Sequence, residues 1–470
     1  LILCKCPLFD KVKHDLVKTQ NRICPMDNFG IRELEDDGIT IRIPTFDNVP
    51  ITGPVQNLMD TPQFQRLRKI RQLSLAHLVY PGANHTRFEH SLGVYSLMRA
   101  YVSHLLNAGL TDFSSKEDIL SLLAASLLHD IGHYPFGHIV EGMATGLELH
   151  ETRGQQICQN LTMTNLLSDM GANPELTGRL ISGDDAKLPD NRKKTFRLLR
   201  DFLDCAIDAD KMDYLERDSV HCGVPYGRSY DKERLINSLI ISQDGRLALT
   251  EKGKASAEYV IFSRYVMLTE VYWHHTVRSA SVMLIRAFQE AQGSGHWGEY
   301  LHKLLENFGD EDALEALSVL VRDDPDLSIL ASGLRIRQLY KRIRTYSPLD
   351  PDSQKVFGTL KGLEGPADGR ALSIYVEKEL GLPRARVLVD IIPAKSLAGD
   401  MMVYYPKRGQ YRKLSSVSPI ASSLHEAWGS LTGIIRVYAH PSYAEKLASM
   451  GNELDMIIEK AGSDLRTKPK

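Results

Sequence analysis

Residues 116–133 run Lys116-Glu117-Asp118-Ile119-Leu120-Ser121-Leu122-Leu123-Ala124-Ala125-Ser126-Leu127-Leu128-His129-Asp130-Ile131-Gly132-His133. The segment from Lys116 to His129 predicts an apolar helix, with Ser114 or Ser115 as its cap and its end near Gly132 and Pro135. Ending it on His129-Asp130, with His133 and His138 close behind, sets polar groups beside Leu127 and Leu128. Burial there costs free energy unless a cation or a tight hydrogen-bond network compensates. A single His-Asp dipeptide can equally cap the last helical turn, so its company decides. Arg87-Phe88-Glu89-His90 lies upstream and Asp210-Lys211 downstream, both on predicted helices. His90, His129, Asp130 and Asp210 form a two-imidazole, two-carboxylate set, suited to one Fe, Mn or Zn ion with positions left open for water. Such an ion supplies hydroxide near neutrality, which hydrolysis of a phosphate ester requires.

Arg87 stands three residues before His90, so one helical face would carry a guanidinium beside the metal, a geometry suited to phosphate. Asp210, Tyr214 and Asp218 recur at i, i+4 and i+8 and align two carboxylates and a phenol on one ridge. Taken alone, that helix also reads as a charged, solvated one stabilised by an Asp213/Arg217 pair.

The whole chain has 470 residues, 57 basic and 59 acidic, for a net charge of −2, with 43% hydrophobic residues. That is the composition of a globular protein with a large core, and it removes the strongest argument for a nucleic-acid partner. No apolar run reaches the length of a membrane span. Six cysteines without paired C-x-x-C spacing suggest a reducing, cytoplasmic setting, and the start at Leu1 without Met suggests a trimmed N-terminus rather than a signal peptide. Apolar periodicity predicts helices over 61–73, 86–106, 116–129, 151–166, 193–218, 253–292, 299–321 and 332–345. Strands are expected at 39–43, 387–392, 401–405 and 434–438, with a hairpin over 238–249 turning at Asp244-Gly245. A Pro/Gly/Asp-rich stretch, 348–369, divides the chain into an arm (1–37), a helical body (38–347) and a mixed lobe (348–470).

Four blocks in order, Asp60 to Arg68, Pro81-Gly82-Ala83 with Arg87 to Val94, His129 to His133, and Asp210 to Asp218, resemble the HD-domain deoxynucleoside triphosphate triphosphohydrolases over about residues 38 to 290. The resemblance implies a mainly α fold: an HD-domain helical core with small β elements and a mixed α/β C-terminal lobe. It implies His90, His129, Asp130 and Asp210 as metal ligands, with Arg87, Lys211 and Arg264 gripping phosphates, and Mg or Mn accompanying the substrate phosphates. His138 matches the general acid for the departing 5′ oxygen, and His133 and His150 its active-site partners. Gln72, Leu73, Tyr214, Asp218 and Tyr272 match positions around the sugar. Asp60, Gln65 and Arg68 match guanine-recognition positions of an activating nucleotide held between subunits of a homo-oligomer, tetramer or dimer. Ile39, His275 and Leu268 depart from the family pattern and put nucleotide activation in question. The expected activity is hydrolysis of deoxynucleoside triphosphates to deoxynucleoside and triphosphate. The alternatives are an HD phosphohydrolase of monophosphates, alarmones or cyclic nucleotides, and a nucleotide sensor or single-stranded nucleic-acid binder.

Overall fold

The Lys116–Leu128 helix is apolar all round, and every side chain from Asp118 to Leu128 is buried. Such a helix is stable only when surrounded. It begins with a capping box in which Ser115 accepts from the Asp118 amide at 3.2 Å and Asp118 accepts from the Ser115 amide at 2.9 Å. Arg87–Leu106 packs on one side of it and Pro174–Ser182 on another, and Ala209–Cys222 lies against Arg87–Leu106. Gly93 permits that last approach, since a Cβ there would lie 1.9 Å from Asp213 Oδ1. These three motif-bearing helices put His90, His129 and Asp210 at one point. This computed structural model describes residues 29–36, 38–112, 114–141, 147–186, 188–392 and 400–467, so most of the N-terminal arm, with Cys4, Cys6 and Cys24, lies outside the described residues.

Among the described residues the fold is mainly helical with three small sheets. Ile39–Ile43 pairs with Phe46–Ile51. The expected hairpin forms from Leu239–Ile241 and Leu247–Thr250, with Gly245 at φ 70°. Its second strand pairs in parallel with Met402–Tyr405, which Gln410–Lys413 extends. Lys341–Tyr346, Ile434–Ala439 and Val387–Ile392 form the third sheet, with the middle segment between the other two.

Several long helical expectations divide. The 193–218 segment breaks between Leu203 and Ala209, where Asp208 caps the second helix. The 253–292 segment passes through a π-helical turn, Leu268–Tyr272, before His275–Ala291. The 299–321 segment splits into Trp297–Glu306 and Asp310–Leu320, and 151–166 into His150–Cys158 and Leu161–Met170. The 61–73 segment keeps only Pro62–Gln65 and a 3-10 turn, Arg66–Lys69, because Arg71 turns extended to bridge Thr86. The 332–345 expectation is corrected: the helix ends at Arg335, Arg337 takes φ 59°, and Lys341–Tyr346 is a strand satisfied by Ile434–Ala439.

Residues beyond 348 are tied to the His275–Ala291 helix by an ionic cluster. Glu290 on that helix accepts from Arg286 at 2.7 Å, Arg370 at 2.9 Å and Arg384 at 2.9 Å. Burial opposes ionisation of Glu290, but the guanidiniums outweigh it and hold the carboxyl at about 2, against an ordinary 4.5. A depressed carboxyl contributes stability above its unfolded pKa and loses it as pH falls through the folded one. Glu290→Gln is therefore expected to unfold more easily than the unsubstituted protein in denaturant at pH 6, with the gap closing as pH drops from 4.5 towards 2. A gap independent of pH would refute the ionic origin of this joint.

Candidate metal centre and substrate cavity

His90 is buried and uses both ring nitrogens. Its Nε2 lies 2.9 Å from Asp210 Oδ1, 3.2 Å from His129 Nε2 and 3.9 Å from Asp130 Oδ2. Its Nδ1 lies 2.8 Å from Asp213 Oδ2, and Arg217 holds Asp213 through Nε at 2.8 Å and Nη2 at 2.7 Å. Donation of the His90 Nδ1 proton to Asp213 leaves Nε2 as a lone-pair donor. His129 is arranged alike: Nδ1 meets the Ser126 carbonyl at 2.9 Å, and Nε2 faces Asp130 at 3.5 Å and Asp210 at 3.8 Å. His90, His129 and Asp130 bring two nitrogens and a carboxylate together, Asp210 approaches both imidazoles, and each imidazole is fixed from behind, a donor set that fits a divalent transition ion.

The electrostatics agree. Burial lowers the His90 pKa, but hydrogen bonds and charge from Asp210 and Asp213 outweigh it and raise the value to about 10. Asp130 is held well below the usual carboxylate range, against its burial, by Arg87 and the neighbouring histidines. The guanidiniums of Arg87 and Arg217 and the neighbouring imidazoles balance this concentration of carboxylates.

Beside this point stands a second imidazole cluster. His133 stacks on His150 with ring centroids 3.7 Å apart, and His138 meets both edge-on at 5.0 and 5.2 Å. Glu141 organises them: Oε2 takes His138 Nδ1 at 2.9 Å, and Oε1 takes both His150 Nδ1 and the His150 amide at 2.8 Å. Burial and Arg87 keep His133 well below an ordinary imidazole pKa, hence neutral. The His138 side chain is 67% exposed, open to proton exchange with solvent.

Both groups open into one cavity of about 450 Å³ that also collects Gln72, Leu73, Arg87, Tyr214, Asp218, Arg264 and Tyr272. Asp218 is held by His85 Nε2 at 2.7 Å and by the Tyr272 hydroxyl at 2.7 Å, and Tyr214 and Tyr272 meet edge to face. The π-helical turn carries Leu268 and Tyr272 to the wall, and Trp428 reaches it from the lobe, with Arg264 5.9 Å from its ring. Lys211 does not line the cavity; its Nζ is 2.5 Å from Asp208. Asp60, Gln65 and Arg68 lie outside it: Arg68 donates to Gln65 at 2.8 Å and covers the Phe88 ring at 3.5 Å, and Asp60 ends a short helix. The sequence reading misses Asp213, Glu141, His85 and Trp428 as site residues. Glu141 alone carries a local signal, three residues after His138 on one helical turn.

Comparison with known proteins finds two family models that cover most of the chain. The HD domain family model covers residues 87–218 and the HD associated region model residues 230–463. A crystal structure of a phosphohydrolase from Bacteroides thetaiotaomicron superposes with a TM-score of 0.65 at 25% identity, covering 86% of this chain and all of that one. The chain belongs to the HD-domain phosphohydrolases. An uncharacterized protein of Methanocaldococcus jannaschii is 28% identical over 423 residues, 86% of this chain and 81% of the relative. The human deoxynucleoside triphosphate triphosphohydrolase SAMHD1 is 30% identical over 279 residues, 52% of this chain and 44% of the relative. The residues matched by the HD domain model thus include the clustered histidines and aspartates, and those matched by the associated region model include Arg264, Tyr272 and Trp428 of the same cavity.

Asp213→Asn keeps the shape but weakens the acceptor behind His90, and is expected to lower metal affinity about 10- to 100-fold, measured by chelator competition. Gly93→Ala pushes on the same carboxylate and should cost about 1–3 kcal/mol of stability, measured by denaturant unfolding. Unchanged affinity in Asp213→Asn would show that His90 is not oriented through Asp213.

Proposed function

We propose that this HD phosphohydrolase hydrolyses deoxynucleoside triphosphates to deoxynucleoside and inorganic triphosphate. The observation that carries the reading is that one cavity is lined by His90, His129, Asp130 and Asp210, by Arg87 and Arg264, and by Gln72, Leu73, Tyr214, Asp218 and Tyr272. Cations beside the metal site suit a polyphosphate, and a wall of phenols and leucine suits a sugar and base. The human relative bears the name of this activity.

Fe, Mn or Zn held by His90, His129, Asp130 and Asp210 would activate water and polarise a phosphoryl oxygen. Arg87 sits behind that point with Nη1 2.8 Å from Asp130 and lines the cavity, where its remaining N–H groups would meet a phosphate oxygen. His138 is the general acid for the departing 5′ oxygen: Glu141 holds its Nδ1, leaving Nε2 to carry the proton. Neutral His133 and its stacked partner His150 position His138 and substrate. Deoxyribose selection follows from the Tyr214/Tyr272 wall and from Asp218, whose oxygens already serve His85 and Tyr272 and leave an added 2′ hydroxyl poorly partnered. Substrate phosphates would bring Mg or Mn. Asp60, Gln65 and Arg68, outside the cavity, are assigned to an activating nucleotide between subunits of a homo-oligomer.

The test is incubation of metal-analysed protein with each deoxynucleoside triphosphate, singly and in mixtures, with products separated by chromatography. Deoxynucleoside and triphosphate are expected, and activity confined to mixtures would assign Asp60, Gln65 and Arg68 to activation. Nucleoside monophosphate with pyrophosphate, or no turnover, would overturn the reading. His129→Ala should lose both metal and activity, whereas His138→Ala should keep the metal and lose about 10²- to 10⁴-fold in kcat.

A further inference from the structure

The loop from His133 to His138 is held in a conformation its sequence does not favour. Phe136 has φ 61°, a region that strains a residue with a bulky side chain, and Gly137 follows at φ 53°. The loop carrying Gln72 and Leu73 turns next to it, with Ser74 at φ 50°. What joins the two is Asp310, the first residue of the Asp310–Leu320 helix, which lies outside both the metal centre and the cavity lining. Its carboxylate is 1% exposed and divides between the loops: Oδ1 accepts from the Phe136 amide at 2.8 Å and Oδ2 from the Arg71 amide at 2.9 Å. Ser74 completes the tie by donating to the Phe136 carbonyl at 2.8 Å.

The chain segment leading to Asp310 is fastened to the same loop by two arginines. Arg66 donates to the His133 carbonyl at 2.7 Å and to the Leu304 carbonyl at 3.1 Å, and Arg153 donates to the carbonyls of Gly132 and Leu305. Tyr134 and Phe136 are meanwhile packed into the core made by the helices on either side of that segment. Burial raises the Asp310 carboxyl to about 6 despite the amides and Arg71. Keeping the ionised group there works against stability, which fits a residue retained for placement.

We infer that Asp310 is a positioning residue of the reaction: its carboxylate locks the strained loop bearing His138 against the loop bearing Gln72 and Leu73, so that general acid and substrate wall keep one spacing. The inference rests on the function proposed above for that cavity. A carboxylate has two acceptor oxygens for two amides, whereas an asparagine offers one oxygen and sets an NH2 against the other donor.

The experiment compares the unsubstituted protein, Asp310→Asn and, as a control, Asp118→Asn, whose buried carboxylate serves the Ser115 capping box. Metal content, kcat and KM for a deoxynucleoside triphosphate, and amide hydrogen exchange resolved to the 71–74 and 134–138 peptides are measured on each. Asp310→Asn is expected to keep its metal and a KM within about twofold, to lose about tenfold or more in kcat, and to exchange faster in both peptides. Asp118→Asn should change neither peptide, nor kcat beyond about twofold. Unchanged exchange in Asp310→Asn, or loosened loops with the original kcat, would overturn the inference. So would fast exchange at Arg71 and Phe136 in the unsubstituted protein, a result that needs no variant to fold. Absence of turnover in the unsubstituted protein would instead count against the proposed substrate, and the exchange data would still decide whether Asp310 locks the loops.

Discussion

The site depends on the burial of His90 between two carboxylates. An imidazole with Asp210 on one nitrogen and Asp213 on the other cannot rotate, and Arg217 behind Asp213 balances the charge that such burial would otherwise leave unpaired. The helix contact that brings Asp213 there requires Gly93, since any side chain would occupy the place of the carboxylate. Helix packing and ligand orientation are therefore one constraint. The apolar Lys116–Leu128 helix delivers His129 and Asp130 to the same point at its C-terminal end, where the next residues must turn away.

From that point the cavity is built outward by both parts of the chain. The HD domain supplies the proposed metal ligands and the neighbouring histidines, while the associated region adds Arg264, Trp428 and, on a π-helical turn, Tyr272. The two parts of the chain share packing as well, because Leu388 and Tyr438 belong to the same core as Tyr134 and Phe136 of the His133–His138 loop. A cleft made at such a junction can hold a ligand with chemically different ends, charged beside Arg87 and apolar beside Leu73 and Tyr272.

Much of this is legible in the chain because metal ligands impose residue types at helix ends, and helix ends interrupt apolar periodicity visibly. The Ser115 cap, the strand at Ile39–Ile43 and the hairpin at Gly245 also follow from local chemistry. Asp213 does not, because an Asp followed four residues later by Arg217 looks like any exposed helical ion pair, and only tertiary packing turns it inward to His90. His85 and Trp428 reach the site across long sequence separations, with no local pattern to mark them. The strand Lys341–Tyr346 was hidden by charged residues that suit a solvated helix equally well, and its partner lies some ninety residues away at Ile434–Ala439. Lys211, assigned to phosphate by family resemblance, turns instead to Asp208, a choice set by the helix cap beside it.

The proposed centre holds one ion among His90, His129, Asp130 and Asp210. Two neighbouring groups offer rival donors: His133 with His138 and His150, and Glu141 with His150 and Glu151. Anomalous X-ray diffraction from crystals of the protein loaded with Mn, Fe or Zn distinguishes them directly. A peak is expected in direct coordination distance of the two imidazole Nε2 atoms of His90 and His129 and of both aspartates. A peak placed instead among His133, His138 and His150, or on Glu141 and Glu151, with none at His90, would contradict it.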